Sequence, residues 1–220
     1  MATGLYRERN KWEASVPGDL RSDEAFAFTR PLPDLPNVLL IGDSISIGYT
    51  SEVRRRLTGI ANVARVPENA RTTRSSLAQI DRWLDDESWD IIHFNWGLHD
   101  LVRVRTSDQE LAHQVPRQEY AENLRRLVER LRISASRLVW ASTTPVPIGA
   151  QERFLQDEVS YNLIAAGVMA RSTIPTNDLW TFVRQSTLDL QLPSDVHFTE
   201  QGYRALGVNV AGSLAAALYS

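Results

Sequence analysis

The sequence contains no cysteine. This excludes disulfide bonds, a thiol nucleophile and thiolate metal ligands, but it leaves the compartment open because a large core needs no disulfides. Lysine is also nearly absent, since Lys11 is the one lysine among 24 Lys and Arg residues. Arginines and the 27 acidic residues are interspersed, and the net charge is −3. We therefore expect a solvated surface and no nucleic-acid partner.

Long apolar runs are missing as well. No run approaches the ~18 residues of a membrane span, and residues 1–10 lack the apolar centre of a signal peptide. We expect no membrane span and a cytoplasmic location by default, although export is compatible with these features. The four histidines show no metal-ligand spacing, so we predict no metal and no other cofactor. Nothing in the sequence indicates an oligomeric state.

The chain of 220 residues, 43% of them hydrophobic, is long enough for one domain with one core. Residues 1–36 show weak periodicity and end in Pro31, Pro33 and Pro36. Proline at this density favours extended chain over helix. We predict that 1–36 form an extended arm, with a short helix around 22–28, and that this arm packs on a domain formed by 37–220.

From Asn37 onward, predicted strands and helices alternate. Apolar runs predict strands over 38–41, 62–66, 90–95, 137–142 and 174–178. Amphipathic or capped segments predict helices over 46–57, 73–84, 118–132, 152–170 and 199–218. This alternation predicts an α/β fold with a parallel sheet between two layers of helices. In such sheets the reactive groups gather at the carboxyl ends of the strands.

The first motif with possible chemistry is Gly42-Asp43-Ser44, between the first strand and the first helix of this region. A serine hydroxyl becomes a nucleophile when a base removes its proton. At a helix N-terminus it also has backbone N–H donors beside it, which stabilise an oxyanion. The alternative is that Ser44 only caps the helix, because serine is a preferred N-cap residue. Taken alone, the motif favours the cap.

The second motif is Asp195-Val196-His197, just before the last helix. His197 can reach the end of the first strand and serve as general base, because such partners meet only in the folded chain. Residues two apart share a face of an extended segment, so Asp195 can orient the imidazole. Two alternatives stay open. His197 is a structural histidine, or the site is a Ser–His dyad in which Ser194 or a backbone carbonyl orients the ring.

The third motif is Gly97-Leu98-His99-Asp100, after the third strand. His99 follows the glycine closely and offers a ring N–H that faces the end of the first strand. The alternative is a turn in which the histidine is satisfied locally and Asp100 caps a helix.

Together the three motifs resemble those of the SGNH (GDSL-like) hydrolase family, over residues 37 to about 218. That family has a nucleophile in Gly-Asp-Ser, a glycine near the end of the second strand, Gly-x-Asn-Asp after the third, and Asp-x-x-His near the C-terminus. The resemblance implies a flavodoxin-like three-layer fold with a five-stranded parallel sheet. It also implies Ser44 as nucleophile and His197 as base. The implied oxyanion hole comprises the Ser44 N–H, an N–H after the second strand and a side chain of the third motif.

The chain departs from the family pattern at three places. His99 stands where the family has asparagine, and it can supply a ring N–H in place of the amide. The loop after the second strand has no glycine, so we expect Asn69 or Ala70 to supply the backbone N–H. Ser194 stands where Asp-x-x-His requires aspartate, so either Asp195 is the third member or the site is a Ser–His dyad. The Gly-Leu-His-Asp variant is similar to a bacterial subgroup called GDSL-like lipases or acylhydrolases.

These observations predict a serine hydrolase that cleaves a carboxylic ester. No apolar lid segment is visible, which favours a small-acyl esterase or a carbohydrate deacetylase over a lipase for long chains. We expect substrate contacts from Asp43, Arg71, Asp100 and Arg103, since an arginine beside the site favours a carboxylate or a hydroxyl-rich ester.

Two alternatives belong to other functional classes. One is a weakly active or inactive relative that binds a glycan or small molecule in the same cleft. The other is an unrelated flavodoxin-like phosphate or nucleotide binder, but no glycine-rich phosphate loop of the expected type is present.

Overall fold

The computed structural model describes residues 4–219. The strands are β1 (Asn37–Ile41), β2 (Asn62–Arg65), β3 (Trp89–Phe94), β4 (Arg103–Arg105), β5 (Leu111–His113), β6 (Ala135–Ala141) and β7 (Thr176–Asn177). Five of them form one parallel sheet in the order β2-β1-β3-β6-β7, and β4 and β5 form a separate antiparallel hairpin.

The helices are α1 (Arg9–Ser15), α2 (Ser44–Arg56), α3 (Thr73–Leu77), α4 (Ile80–Leu84), α5 (Arg117–Ser134), α6 (Asp157–Arg171), α7 (Leu179–Arg184) and α8 (Glu200–Tyr219). Helices α2 and α8 pack together in one layer, and α5 packs with α3, α4 and α6 in the other. The predicted α/β/α fold with a five-stranded parallel sheet is therefore confirmed. No helix within residues 4–219 is long and apolar enough to cross a membrane.

The central strand β1 follows from its sequence, because residues 38–41 are apolar without interruption and have no exposed surface. Two glycines allow the helices α2 and α8 to pack closely against each other. A Cβ added at Gly48 would lie 2.2 Å from the Tyr203 ring, and one at Gly207 would lie 2.6 Å from Cβ of Glu52. The first approach holds the start of α8 near the start of α2, where the first and second motifs lie, and the second joins the middle parts of the two helices.

Several predicted boundaries are wrong. The helix predicted over 73–84 is divided into α3 and α4, and the one predicted over 152–170 begins only at Asp157. Helices α1 and α7 and the hairpin β4–β5 were not predicted from the sequence. These elements have at most seven residues each, too few for a clear periodic pattern.

The N-terminal segment packs on the core and is not extended throughout. It contains α1 and two short 3-10 turns, one of which (Glu24–Phe26) falls within the predicted 22–28 helix. Trp12 and Phe26 are buried, and the Trp12 indole N–H donates to the Phe26 carbonyl at 2.6 Å. The Phe26 ring covers the guanidinium of Arg65 at 4.6 Å, and burial lowers the pKa of Arg65 to about 9.

Candidate active site

Ser44 is the first residue of α2, directly after β1. The helix cap is Asp43, whose Oδ1 accepts a hydrogen bond from the Ile45 N–H at 3.0 Å. The alternative that Ser44 is only the cap is therefore wrong. Its hydroxyl lies instead 2.9 Å from Nε2 of His197. Gly42 allows this tight strand-to-helix connection, since a Cβ there would lie 2.7 Å from Cβ of Ser46.

The loop that carries His197 is held at both ends by backbone hydrogen bonds. The Leu192 N–H donates to the His197 carbonyl, and the Thr199 N–H donates to the Leu190 carbonyl, each at 2.9 Å. The Gln191 amide also donates to the Pro145 carbonyl at 2.9 Å, which joins this loop to the one after β6. The imidazole is thus presented by a braced loop at the carboxyl end of the sheet.

Asp195 lies beside the other nitrogen of the ring. Nδ1 of His197 is 2.7 Å from Oδ1 of Asp195, and the same oxygen accepts the His197 backbone N–H at 3.1 Å. This backbone hydrogen bond is the main cause of a lowered pKa of the Asp195 carboxyl. A proton on Nδ1 that is donated to the carboxylate leaves Nε2 as the acceptor facing Ser44. The two side chains are 41% and 46% exposed.

The loop after β2 corrects one predicted oxyanion donor. The Ala70 N–H donates to the Gly42 carbonyl at 3.2 Å and so continues the pairing with β1, which makes it unavailable for a substrate. Asn69 is different. Its Oδ1 accepts the Arg71 N–H at 2.9 Å, whereas its own N–H and Nδ2 bond to no residue of the described chain. Asn69 is therefore the remaining candidate from this loop.

His99 is half-buried at the turn after β3, and its ring makes no hydrogen bond within residues 4–219. Burial lowers the pKa of His99. The charge of Asp43 opposes this shift, and the charges of Arg153, Arg71 and His197 add to it. The imidazole is therefore neutral at neutral pH and donates from one nitrogen.

Two predicted substrate contacts are contradicted by burial. Asp100 has no exposed surface, and its Oδ1 accepts the N–H and the hydroxyl of Thr73 at 2.9 and 2.5 Å. This buried contact ties the turn after β3 to the start of α3, and burial raises the pKa of Asp100 to about 7. Asp43 is 2% exposed and is used as the cap of α2.

The predicted contact from Arg103 is not supported either. Its guanidinium contacts both carboxylate oxygens of Asp157 on α6 at 2.9–3.1 Å and lies over the Phe154 ring at 4.6 Å. This pair docks the hairpin on the domain. Arg71 is exposed, and in the described part of the chain its side chain has no hydrogen-bond partner. It stays a predicted substrate contact.

One charged residue near the site was missed by the sequence analysis. Arg153 lies in the loop before α6, and its Nε donates to the Leu98 carbonyl at 2.9 Å, directly before His99. No motif surrounds Arg153, so only the tertiary structure reveals its position.

The arrangement brings together a serine hydroxyl, an imidazole and several N–H groups that have no partner among residues 4–219. Among residues 4–219 there is no group of three histidine or acidic side chains that could hold a metal ion. The chemistry of these groups is that of proton transfer to and from a hydroxyl, next to donors for a developing negative charge.

The model of the GDSL-like lipase/acylhydrolase family matches residues 40–205 of the chain. No curated protein matches it in sequence. Among solved structures, a lipase/acylhydrolase from Enterococcus faecalis superposes with a TM-score of 0.66 at 20% identity, covering 82% of this chain and 96% of that chain.

Two esterases of known structure share the fold as well. An acetyl xylan esterase, AlAXEase, has a TM-score of 0.65 at 11% identity and covers 81% of this chain and 99% of its own. The acetylxylan esterase Axe2 from Geobacillus stearothermophilus has a TM-score of 0.63 at 16% identity, with coverages of 81% and 94%. At these identities the likeness establishes a common fold.

Proposed function

Because the chain belongs to the GDSL-like lipase/acylhydrolase family and is a carboxylic-ester hydrolase, we propose that it works through an acyl-enzyme on Ser44. The observation that carries this proposal is the contact series from Ser44 to His197 to Asp195, at 2.9 and 2.7 Å. The Ser44 oxygen attacks the ester carbonyl carbon while Nε2 of His197 takes the hydroxyl proton.

The tetrahedral intermediate then expels the alcohol, which receives the proton from Nε2. Water repeats the sequence on the acyl-enzyme and releases the carboxylic acid. In both halves the carboxylate of Asp195 keeps the proton on Nδ1 and stabilises the imidazolium that forms.

We assign the oxyanion hole to Ser44, Asn69 and His99. The Ser44 N–H lies at the positive end of α2 and is unpaired within the described residues. The backbone N–H and the Nδ2 group of Asn69 likewise have no partner among residues 4–219, and the neutral His99 offers a ring N–H. One such donor contributes about 2.7–4 kcal/mol to transition-state stabilisation in other hydrolases.

As substrate we propose an ester of a small acyl group with a carbohydrate or another small alcohol. The half-exposed His197 and Asp195 leave room for a bulky alcohol. The shared fold of the two acetylxylan esterases supports acetyl groups on sugars as the first class to test.

The test is hydrolysis of p-nitrophenyl acetate and of acetylated xylo-oligosaccharides by the wild type, Ser44→Ala and Ser51→Ala. Ser51 lies on the same helix and serves as the matched control. We expect Ser44→Ala to lower kcat by at least ~10³-fold and Ser51→Ala to keep the wild-type rate. The wild type should also show a burst of nitrophenolate and an acetylated protein mass. Equal rates of the wild type and Ser44→Ala would contradict the nucleophile, and a wild type without hydrolysis would favour the binding-protein alternative.

A further inference from the structure

A cavity of about 620 Å³ lies between the hairpin β4–β5 and the loop before α6. Its apolar walls are Val104 and Leu111 from the hairpin, and Ala150 and Phe154 from the loop. The volume is within the range of small-molecule sites, roughly 300–1,000 Å³. The proposed catalytic mechanism uses none of these residues.

The lining of this cavity carries more positive than negative charge. It comprises three arginines (Arg103, Arg105 and Arg153) and one carboxylate (Glu152). Arg103 is neutralised by Asp157. In the described chain Arg105 and Arg153 form no ion pair, and their hydrogen bonds go to backbone carbonyls. The cavity therefore holds two guanidinium groups without an anionic partner of their own.

Arg153 connects the cavity to the proposed active site. It lines the cavity, and its Nε donates to the carbonyl of Leu98, the neighbour of His99. Its Nη1 donates to the Gln151 carbonyl at 3.3 Å, and its Nη2 has no partner within residues 4–219. Burial lowers the pKa of Arg153, and the charges of Asp43, Glu152 and Asp195 oppose this shift.

A partly desolvated guanidinium is stabilised by an oxyanion such as a carboxylate, whose two oxygens match its planar pair of donors. We propose that this cavity binds a carboxylate-bearing, partly apolar portion of the ester substrate, with Arg153 contacting the carboxylate. This inference rests on the proposed ester cleavage at Ser44. The apolar walls cover the hydrocarbon part of the same group, and Arg105 adds positive charge at the hairpin side.

The experiment uses two substrate pairs that differ in one charge. The first is 4-acetoxybenzoate with its methyl ester, which places the carboxylate on the alcohol side. The second is mono-4-nitrophenyl glutarate with its methyl ester, which places it on the acyl side. The readout is the ratio of kcat/KM for the charged and the neutral member, and comparison of a variant with the wild type cancels their intrinsic reactivities.

We expect Arg153→Gln to lower this ratio about 10- to 100-fold in one of the two pairs, as for the loss of a charged hydrogen bond. The affected pair identifies which side of the ester enters the cavity. Arg153→Lys, which keeps the charge but loses the planar pair of donors, should give an intermediate ratio. The control Arg126→Gln, on an exposed position of α5, should keep the wild-type ratio.

An unchanged ratio in both pairs for Arg153→Gln would overturn the inference. A partly unfolded variant still gives a valid ratio, because both substrates meet the same folded molecules. Failure of the proposed function looks different, since Ser44→Ala would then still hydrolyse the neutral esters. If Ser44→Ala is inactive and the Arg153→Gln ratio is unchanged, the subsite alone is refuted.

Discussion

Because Asp195 is half-exposed, we expect its charge to contribute less to catalysis than the charge of a buried triad aspartate would. Its Oδ1 accepts both the Nδ1 proton and the backbone N–H of His197, at 2.7 and 3.1 Å. In Asp195→Asn the backbone N–H keeps selecting the amide oxygen as its acceptor, and this oxygen then also faces Nδ1. The ring therefore keeps its tautomer and orientation, and the variant loses only the negative charge.

The magnitude follows from the exposure of the pair. Two unit charges ~4 Å apart interact by about 1 kcal/mol in water and by about 4 kcal/mol at the effective dielectric of a protein surface. The side chains of His197 and Asp195 are 41% and 46% exposed, so we expect an interaction below the upper end of this range. A loss of about 1–3 kcal/mol lowers kcat/KM about 5- to 150-fold. In a serine protease with a buried aspartate, the same substitution costs about 10⁴-fold.

The assay is kcat/KM for p-nitrophenyl acetate with Asp195→Asn and Asp195→Ala, and with Asp189→Asn as an exposed control in the same segment. Asp195→Ala also removes the acceptor for the Nδ1 proton, so we expect a further loss of about tenfold, as for a hydrogen bond of ~1.4 kcal/mol. A loss of 10³-fold or more in Asp195→Asn would refute the expectation that the charge of the half-exposed Asp195 has a small effect. Equal losses in both variants would refute the expectation that the asparagine keeps the tautomer of the ring. Wild-type rates in both would leave His197 oriented by another group.

Two further predictions concern stability. Because burial raises the pKa of Asp100 to about 7, the folded state holds this proton more tightly than the unfolded state, whose pKa is ~3.9. The contribution of Asp100 to the free energy of unfolding therefore falls as pH rises from about 4 to about 7. Asp100→Asn should flatten the pH dependence of the free energy of unfolding in this range, as measured by urea denaturation at each pH. An unchanged slope would contradict this prediction. A Cβ at Gly202 would lie 2.1 Å from the Leu190 carbonyl, whereas none of the described atoms lies within 4 Å at Gly212 on the same helix. Gly202→Ala should thus destabilise by about 1–3 kcal/mol and Gly212→Ala stabilise by about 0.5–1 kcal/mol in thermal denaturation, and equal effects would speak against this packing.

Local patterns were sufficient for the sheet and for the order of the motifs. The uninterrupted apolar run of 38–41 predicts a strand buried on both faces, and Gly42 marks its end because a side chain there would meet Ser46. The alternation of elements then places the ends of β1 and β3 at one edge. The short elements α1, α7 and β4–β5 lack such a pattern, because none of them has more than seven residues.

The sequence by itself therefore determined the fold class and indicated Ser44, His197 and His99 as chemical groups, since these depend on local periodicity and motif order. The tertiary structure decided which polar groups remain available. The Ala70 N–H donates to the Gly42 carbonyl, and the Arg103 guanidinium is paired with Asp157, 54 residues away in the chain.

Asp100 and Arg153 also show that the sequence alone does not determine which charged groups lie at the site. Asp100 is buried and accepts hydrogen bonds from Thr73, and Arg153 lies beside the site with its Nε bonded to the Leu98 carbonyl, 55 residues away. A hydrogen bond or ion pair between distant segments forms only when the chain is packed, and each group has a limited number of donors and acceptors. Availability for substrate is thus a property of the folded chain.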